Sequence, residues 1–316
     1  MKNGYTPGDG PRMHVLTDRL ARSLLFVPGN SPEKIWKASR FGADCLILDL
    51  EDSVPETEKS VARAHVKSAL ESLAADEPFV LVRVNSLTSP HWLADCRSIA
   101  KPALRAIVLP KCDSPTLIVE ADRVLRAEEE SQGLATGSIL LVLLIESARA
   151  LLEAAAMVQA SPRVVAVAFG AEDYCLDMGI VRTRDGNELN YARGVLAVVA
   201  HAHGCMAIDA IFADFKDKEG LANDALVAKS LGFSGKLAIH PSQIKTIHLA
   251  FSPREAEIKF AKRLLESIGS TDAHVISLDG KMIDRPIIER ARRLLAAHER
   301  ASNKKNASPG LASKSR

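Results

Sequence analysis

Leu140-Leu-Val-Leu-Leu-Ile-Glu146 and Val164-Val-Ala-Val-Ala-Phe-Gly-Ala-Glu-Asp173 are two apolar runs that each finish on a carboxylate. Runs with no polar alternation read as strands buried on both faces, as in a parallel sheet covered by helices. Between them Ala148 to Gln159 (ARALLEAAAMVQ) is rich in strong helix formers, so the stretch reads as one strand-helix-strand unit. Adjacent parallel strands would present Glu146 and Asp173 at the same sheet edge. Two hard oxygen ligands at one crevice suit Mg²⁺, with Mn²⁺ as the alternative, because Mg²⁺ takes one or two carboxylates and completes its shell with water and substrate oxygens. The plain alternative is a pair of strand-end acids that cap the next helices.

Working outward, the same kind of run recurs along the chain. The runs are Arg22 to Pro28 (RSLLFVP), Cys45 to Glu51 (CLILDLE), Phe79 to Asn85 (FVLVRVN), Ala106 to Lys111 (AIVLPK), Ile139 to Ser147, Val164 to Asp173, Ala207 to Phe212 (AIDAIF) and Gly235 to Pro241 (GKLAIHP). Helical segments separate them, with start signals such as Ser31-Pro-Glu-Lys34 and Ser114-Pro115. Eight alternating units predict an α/β fold of the (β/α)₈ TIM barrel type, with the active site at the C-terminal ends of the strands. Those ends carry Pro28 and Gly29; Asp49, Glu51 and Asp52; Arg83 and Asn85; Lys111; Glu146; Asp173; Asp209 with Asp214; and His240. Val27-Pro-Gly-Asn-Ser-Pro32 lacks the glycine spacing of a dinucleotide fold, and Gly232-Phe-Ser-Gly-Lys236 lacks that of a P-loop. In domain terms, residues 1–20 read as a disordered segment and 21–270 as the barrel. Residues 271–300 read as a lid or oligomerisation extension, with Thr271 to Asp284 irregular and a helix from Arg285-Pro286 onward. Residues 301–316 read as a disordered basic tail.

Composition excludes several classes of partner. With 316 residues, 25% charged, and a net charge of +2, the chain gives no reason to expect nucleic acid or an anionic membrane surface. Cys45, Cys96, Cys112, Cys175 and Cys205 show no C-x-x-C spacing, so neither a disulfide framework nor a thiolate zinc site is expected, and a reducing cytoplasm is the default. Leu24-Leu-Phe-Val27 is too short for a signal core or a membrane span.

Arg83, at the end of the third run, can grip a carboxylate or oxyanion with two parallel hydrogen bonds, or can make a structural salt bridge to the nearby acids. The cluster Asp49-Leu-Glu-Asp-Ser53 reads either as outer carboxylates that accept from metal-bound water (Asp49, Glu51, Asp52) or as acceptors for Lys59, Arg63 and the next helix. His201 and His203, two apart on a helix, make a poor metal pair.

The residues Arg22 to Gly29, Gly42 to Val54, Arg83-Val-Asn85, Leu109-Pro-Lys111, Ile145-Glu146, Phe169 to Asp173, Ala207-Ile-Asp209, Ile239-His-Pro241 and Met282-Ile-Asp-Arg-Pro286 together resemble the citrate lyase beta-subunit family. That family includes the free-standing malyl-CoA and citramalyl-CoA lyases. The resemblance implies a Mg²⁺-dependent lyase that cleaves a 3-hydroxyacyl-CoA by a retro-Claisen reaction to acetyl-CoA and a 2-oxo acid. By position it makes Glu146 and Asp173 the metal ligands and Arg83 the substrate- and enolate-binding arginine. Asp284 matches the aspartate that reaches the thioester α-carbon from an adjacent subunit, which implies a homo-oligomer, a trimer or a multiple of one. Asp284 before Arg285-Pro286 reads equally as a helix N-cap.

The chemistry agrees with these roles. An α-keto acid chelates a metal well, and a thioester enolate needs fixed positive charge and then a proton. Main-chain N-H groups around Gly170, Ala171 and Glu172 are placed to hold the keto acid carboxylate. Phe26, Pro28, Lys34, Lys59, Arg63, His240 and Pro241 are the expected CoA contacts, with His240 read as a hydrogen-bonded wall rather than a base. Pyruvate or glyoxylate is preferred to oxaloacetate as the keto acid, because citryl-CoA lyase subunits end more compactly than this chain. A citryl-CoA lyase subunit, a malyl-CoA thioesterase and a non-catalytic scaffold subunit are the alternatives.

Overall fold

The structure is a computed structural model that describes residues 21–72, 79–268, 275–278 and 281–307. Of the segments expected to be disordered, all of 1–20 and the 308–316 part of 301–316 lie outside the described residues. Eight parallel strands close into a barrel in chain order: β1 (Ser23–Pro28), β2 (Cys45–Asp49), β3 (Phe79–Arg83), β4 (Leu104–Leu109), β5 (Leu140–Ile145), β6 (Val164–Phe169), β7 (Met206–Asp209) and β8 (Gly235–Ala238). Closure comes from β8 pairing with β1, Leu237 opposite Leu24. The helices α1 (Pro32–Ala38), α2 (Lys59–Ser72), α3 (Trp92–Ile99), α4 (Pro115–Ser131) and α5 (Ala148–Gln159) follow the first five strands in turn. Two helices, α6 (Ala171–Met178) and α7 (Asn190–Ala202), follow β6, then α8 (Lys218–Leu231) follows β7 and α9 (Ile244–Phe251) follows β8. The fold is a (β/α)₈ barrel. No described helix is long and apolar enough to cross a membrane.

Strand parity explains both the unbroken apolar runs and the placement of the site. Successive side chains point to opposite faces. Leu24, Ile47, Leu81, Val108, Leu144, Ala168, Ile208 and Leu237 fill the barrel interior. Their neighbours Leu25, Leu48, Val82, Ile107, Leu143, Val167, Ala207 and Ala238 pack under the helices. Continuing the inward parity by two residues brings Asp49, Arg83, Glu146 and Gly170 to the interior at the C-terminal mouth.

The same parity corrects two expectations. Asp209 carries outward parity, so it leaves the mouth and joins a buried network in which Arg193 Nε bonds to it at 2.8 Å and Arg193 Nη2 to Asp224 at 2.7 Å. Lys236 Nζ completes the network at 2.5 Å from both acids. Lys236, the second residue of β8, meets Asp209, which ends β7, because barrel strands are staggered, and the two are register partners. Asp173 likewise does not close a strand. β6 stops at Phe169, the Gly170 N-H donates to Ile145 O at 2.9 Å, and Gly170 O then accepts from Tyr174 N at 3.0 Å, so the helix has begun and Asp173 lies in its first turn.

The barrel unit ends at Phe251, so the boundary read at 270 moves back to this point. Residues 252–307 contribute a separate compact unit: α10 (Glu255–Ile268), a hairpin of β9 (Val275–Leu278) with β10 (Lys281–Asp284), and α11 (Arg285–Ala307). Ala261, Leu264 and Ile268 of α10 pack with Ile283, Ile288 and Ala291, which is why α10 belongs to this unit. Within the stretch from Thr271 to Asp284 expected to be irregular, Val275–Leu278 and Lys281–Asp284 are paired strands, and the remaining residues lie outside the described ones. α11 also continues past residue 300 to Ala307, into what composition reads as unstructured tail.

Candidate active site

At the mouth of the barrel the guanidinium of Arg83 and the carboxylate of Asp49 lie edge to edge. Arg83 Nε and Nη2 each donate to Asp49 at 2.7 Å, while Nη1 donates to Asp52 at 3.0 Å and lies 3.1 Å from Glu51 Oε2. Beneath it Phe26 presents its ring face, 4.8 Å from the guanidinium carbon. Burial alone would raise the Asp49 carboxyl, yet the hydrogen bonds and charge of Arg83 hold it below the usual carboxylate range. The two-pronged edge assigned from sequence to a substrate carboxylate is therefore taken by Asp49. What Arg83 has left over is its charge and the N-H groups these bonds do not use.

The acid loop after β2 is held from below. Lys59 Nζ donates to Leu50 O at 2.8 Å and to Glu51 O at 2.7 Å, and Asn85 Nδ2 donates to Leu50 O at 3.0 Å. Asn85 is itself fixed by Asp95, which also accepts from Arg63 Nε at 2.9 Å. Of the basic residues expected to meet CoA phosphates, Lys59 is thus buried and spent on carbonyls and Arg63 is spent on Asp95, while Lys34 on α1 is exposed. His240 is exposed at the end of β8, stacked on Phe215 with ring centroids 4.5 Å apart, and its Nδ1 accepts from Ser242 N at 3.2 Å, with Pro241 opening the next turn. Pro28 ends β1.

Glu146, one residue past β5, is buried. Its Oε2 accepts from the Lys111 N-H at 2.8 Å, and among the described residues no group donates to Oε1. Burial pushes its carboxyl up to about 8, and the charges of Glu51 and Asp173 push in the same direction. Asp173 is half-buried and has no hydrogen-bond or ion-pair partner among the described residues. Gly170 makes room for this arrangement: a Cβ there would stand 2.9 Å from Glu146 Oε1 and 3.1 Å from Cδ, and closer still to Cγ. Two neighbouring acids without a cation of their own fit a divalent metal, in a site of two carboxylates with positions to spare. Beside them, the N-H groups of Ala171, Glu172 and Asp173 open α6 with no acceptor among the described residues. The Gly170 N-H is not available, being bonded to Ile145 O, and the Glu172 side chain turns to Arg182 at 3.1 Å.

Lys111 is the residue whose importance the sequence does not reveal. Its ammonium lies 2.6 Å from Glu51 Oε1 and 3.4 Å from Asp52 Oδ1, and its main-chain N-H holds Glu146. Leu109-Pro-Lys111 marks it as a polar strand end and as part of the family resemblance, with no role attached. Burial raises the Glu51 carboxyl, and its Oε2 has no aligned hydrogen bond despite the nearby Arg83. Asp284 lies on the second unit, where its Oδ1 accepts from Ile287 N at 3.3 Å as a cap of α11.

The family model for HpcH/HpaI aldolase/citrate lyase matches residues 22–241. Citrate lyase subunit beta of Leuconostoc mesenteroides subsp. cremoris is 36% identical over 281 residues, covering 88% of this chain and 93% of that protein. A (3S)-malyl-CoA thioesterase of Cereibacter sphaeroides is 32% identical over 281 residues, covering 88% and 94%. Among solved structures, CitE of Mycobacterium tuberculosis in complex with magnesium, acetoacetate and coenzyme A superposes with a TM-score of 0.75 at 29% identity, covering 90% of this chain and 99% of that one.

Proposed function

Because this chain belongs to the HpcH/HpaI aldolase/citrate lyase family, we propose that it cleaves the C-C bond of a 3-hydroxyacyl-CoA of the citramalyl or malyl type, giving acetyl-CoA and a 2-oxo acid. The observation that carries the reading is the pairing of a buried Glu146, tied at one oxygen only, with an Asp173 that has no partner among the described residues, beside the open N-terminus of α6. Those two carboxylates would hold Mg²⁺, or Mn²⁺, which when bound supplies positive charge to the carbonyl and hydroxyl oxygens of the substrate. The magnesium and coenzyme A in the M. tuberculosis relative support both the ion and the CoA thioester.

The chain's own residues supply the rest. The N-H groups of Ala171, Glu172 and Asp173 receive the carboxylate of the keto acid half, at a helix end that favours negative charge. Arg83, locked by Asp49 over Phe26, keeps a fixed positive charge where the thioester oxygen becomes negative, so no reorganisation is required as charge develops. As the C-C bond breaks, the substrate hydroxyl loses its proton to solvent water and its oxygen becomes the keto carbonyl, while Asp284 of a neighbouring subunit in a trimer, or a multiple of one, delivers the proton that the α-carbon gains and is reprotonated from solvent. A cytoplasmic setting agrees with five buried cysteines that show no C-x-x-C spacing.

Incubating the protein and Mg²⁺ with citramalyl-CoA, malyl-CoA, 3-methylmalyl-CoA and citryl-CoA, while assaying keto acid and free thiol separately, tests the reading. Keto acid without free CoA supports it. Free thiol without keto acid replaces it with the hydrolysis named for the C. sphaeroides relative, preference for citryl-CoA replaces the substrate, and no turnover of any of them leaves a scaffold subunit.

A further inference from the structure

We propose that Lys111 is a positioning residue for Glu146: its left-handed backbone aims its N-H at one carboxylate oxygen, and its ammonium, anchored on Glu51, holds that backbone in place. The inference rests on the reading of Glu146 and Asp173 as ligands to a divalent cation. Lys111 has φ 51°, and among the described residues it is the one non-glycine with positive φ. An L-residue is disfavoured there because its Cβ crowds the backbone, so the conformation persists only where the surroundings over-determine it.

The surroundings do so from two sides. The N-H donates to Glu146 Oε2 at 2.8 Å, and the ammonium bonds to the buried Glu51 at 2.6 Å, so one residue after β4 ties the end of β2 to the end of β5. A return to negative φ would re-aim the peptide unit and take the N-H off Glu146. The division of labour suits a metal ligand. A neutral N-H orients a carboxylate without cancelling its charge, whereas an ammonium in that place would compete with a cation. Lys111 sends its amide to Glu146 and its charge elsewhere, and Oε1 is the oxygen left for the ion.

The test uses Lys111→Gly, Lys111→Asn, Lys111→Ala and Lys111→Val, all without the ammonium and differing in tolerance of positive φ. Mg²⁺ affinity is measured by calorimetry and Mn²⁺ affinity by electron paramagnetic resonance, alongside Glu146→Gln. The expected order of affinity is Gly and Asn above Ala above Val. Gly should lie within about threefold of the wild type and Val roughly tenfold or more weaker, as a left-handed penalty of that size implies. Equal affinities for Gly and Val overturn the proposal, and if Val does not fold, equal affinities for Gly and Ala do so. If the wild type binds no more tightly than Glu146→Gln, it is the metal reading itself that fails.

Discussion

Replacing Gly170 with alanine should empty the metal site while leaving the barrel intact. A Cβ at this position would stand 2.9 Å from Glu146 Oε1 and 3.1 Å from Cδ, with Cγ nearer still. Unbonded carbon contacts settle at about 3.5–4.0 Å, so the Glu146 side chain, with Cγ its most crowded atom, must withdraw by more than about one ångström. Mg²⁺ requires oxygens at about 2.0–2.1 Å in near-octahedral order, and a displacement of that size removes one of two protein ligands. We expect affinity to fall by about a hundredfold, equivalent to roughly 2.7 kcal/mol. The backbone gives no second reason for a loss, because Gly170 has φ −92°, which alanine adopts freely. Unfolding in the absence of metal should therefore shift little, the lost chain entropy of glycine offsetting part of the repacking. Calorimetric titration with Mg²⁺, paired with thermal unfolding in chelator, measures both quantities. A Gly170→Ala protein that binds Mg²⁺ within threefold of the wild type refutes the assignment of Glu146.

Three further perturbations separate the remaining parts of the site. Asp49→Asn breaks the buried bidentate pair and leaves Arg83 only Glu51 and Asp52 as charged partners, and should destabilise the fold by about 1–3 kcal/mol in denaturant unfolding. Because Asp49 is held below its ordinary pKa, its contribution is present above the unfolded value and is lost as pH falls through the folded one, so wild type and variant should converge in acid. Glu146 has the opposite sign: its carboxyl, pushed up to about 8, favours the metal-free fold at low pH, and that contribution is lost as pH rises toward 8. Mg²⁺ binding near pH 7 should therefore release a proton and tighten with pH up to about 8, read as a buffer-dependent calorimetric heat, and no proton release contradicts the burial argument. Asp284→Asn keeps the cap on Ile287 but removes the acid, so turnover should fall more than tenfold at unchanged metal affinity and stability. Asp284→Ala should lose in addition about 1 kcal/mol of stability, and an active Asn variant reduces Asp284 to a cap.

The barrel was legible because parallel strands buried on both faces leave an unbroken apolar signal, and parity then carries Asp49, Arg83 and Glu146 into the mouth. Parity applied equally to Asp209 would have placed it outside, in the network with Arg193, Asp224 and Lys236, where a list of polar strand ends puts it within. Asp173 was read as a strand end because apolar runs do not announce where a glycine converts a strand into a helix. Lys59 and Arg63 illustrate the opposite limit. Sequence shows basic residues near the site, but only the burial of Lys59 and the partner Asp95, itself hidden in an amphipathic helix, show that neither is free for a phosphate. The backbone of Lys111 had no sequence signal, since lysine is not a residue from which positive φ is expected.

Turnover of a 3-hydroxyacyl-CoA in D₂O, followed by mass spectrometry of the CoA product, tests the proposed reaction most directly. Retro-Claisen cleavage leaves a carbanion equivalent at the thioester α-carbon that must take its proton from an acid exchanging with solvent. The acetyl-CoA should therefore carry one deuterium per turnover, formed in step with the 2-oxo acid. Free CoA with an intact, undeuterated hydroxy acid would contradict C-C cleavage and make the protein a thioesterase.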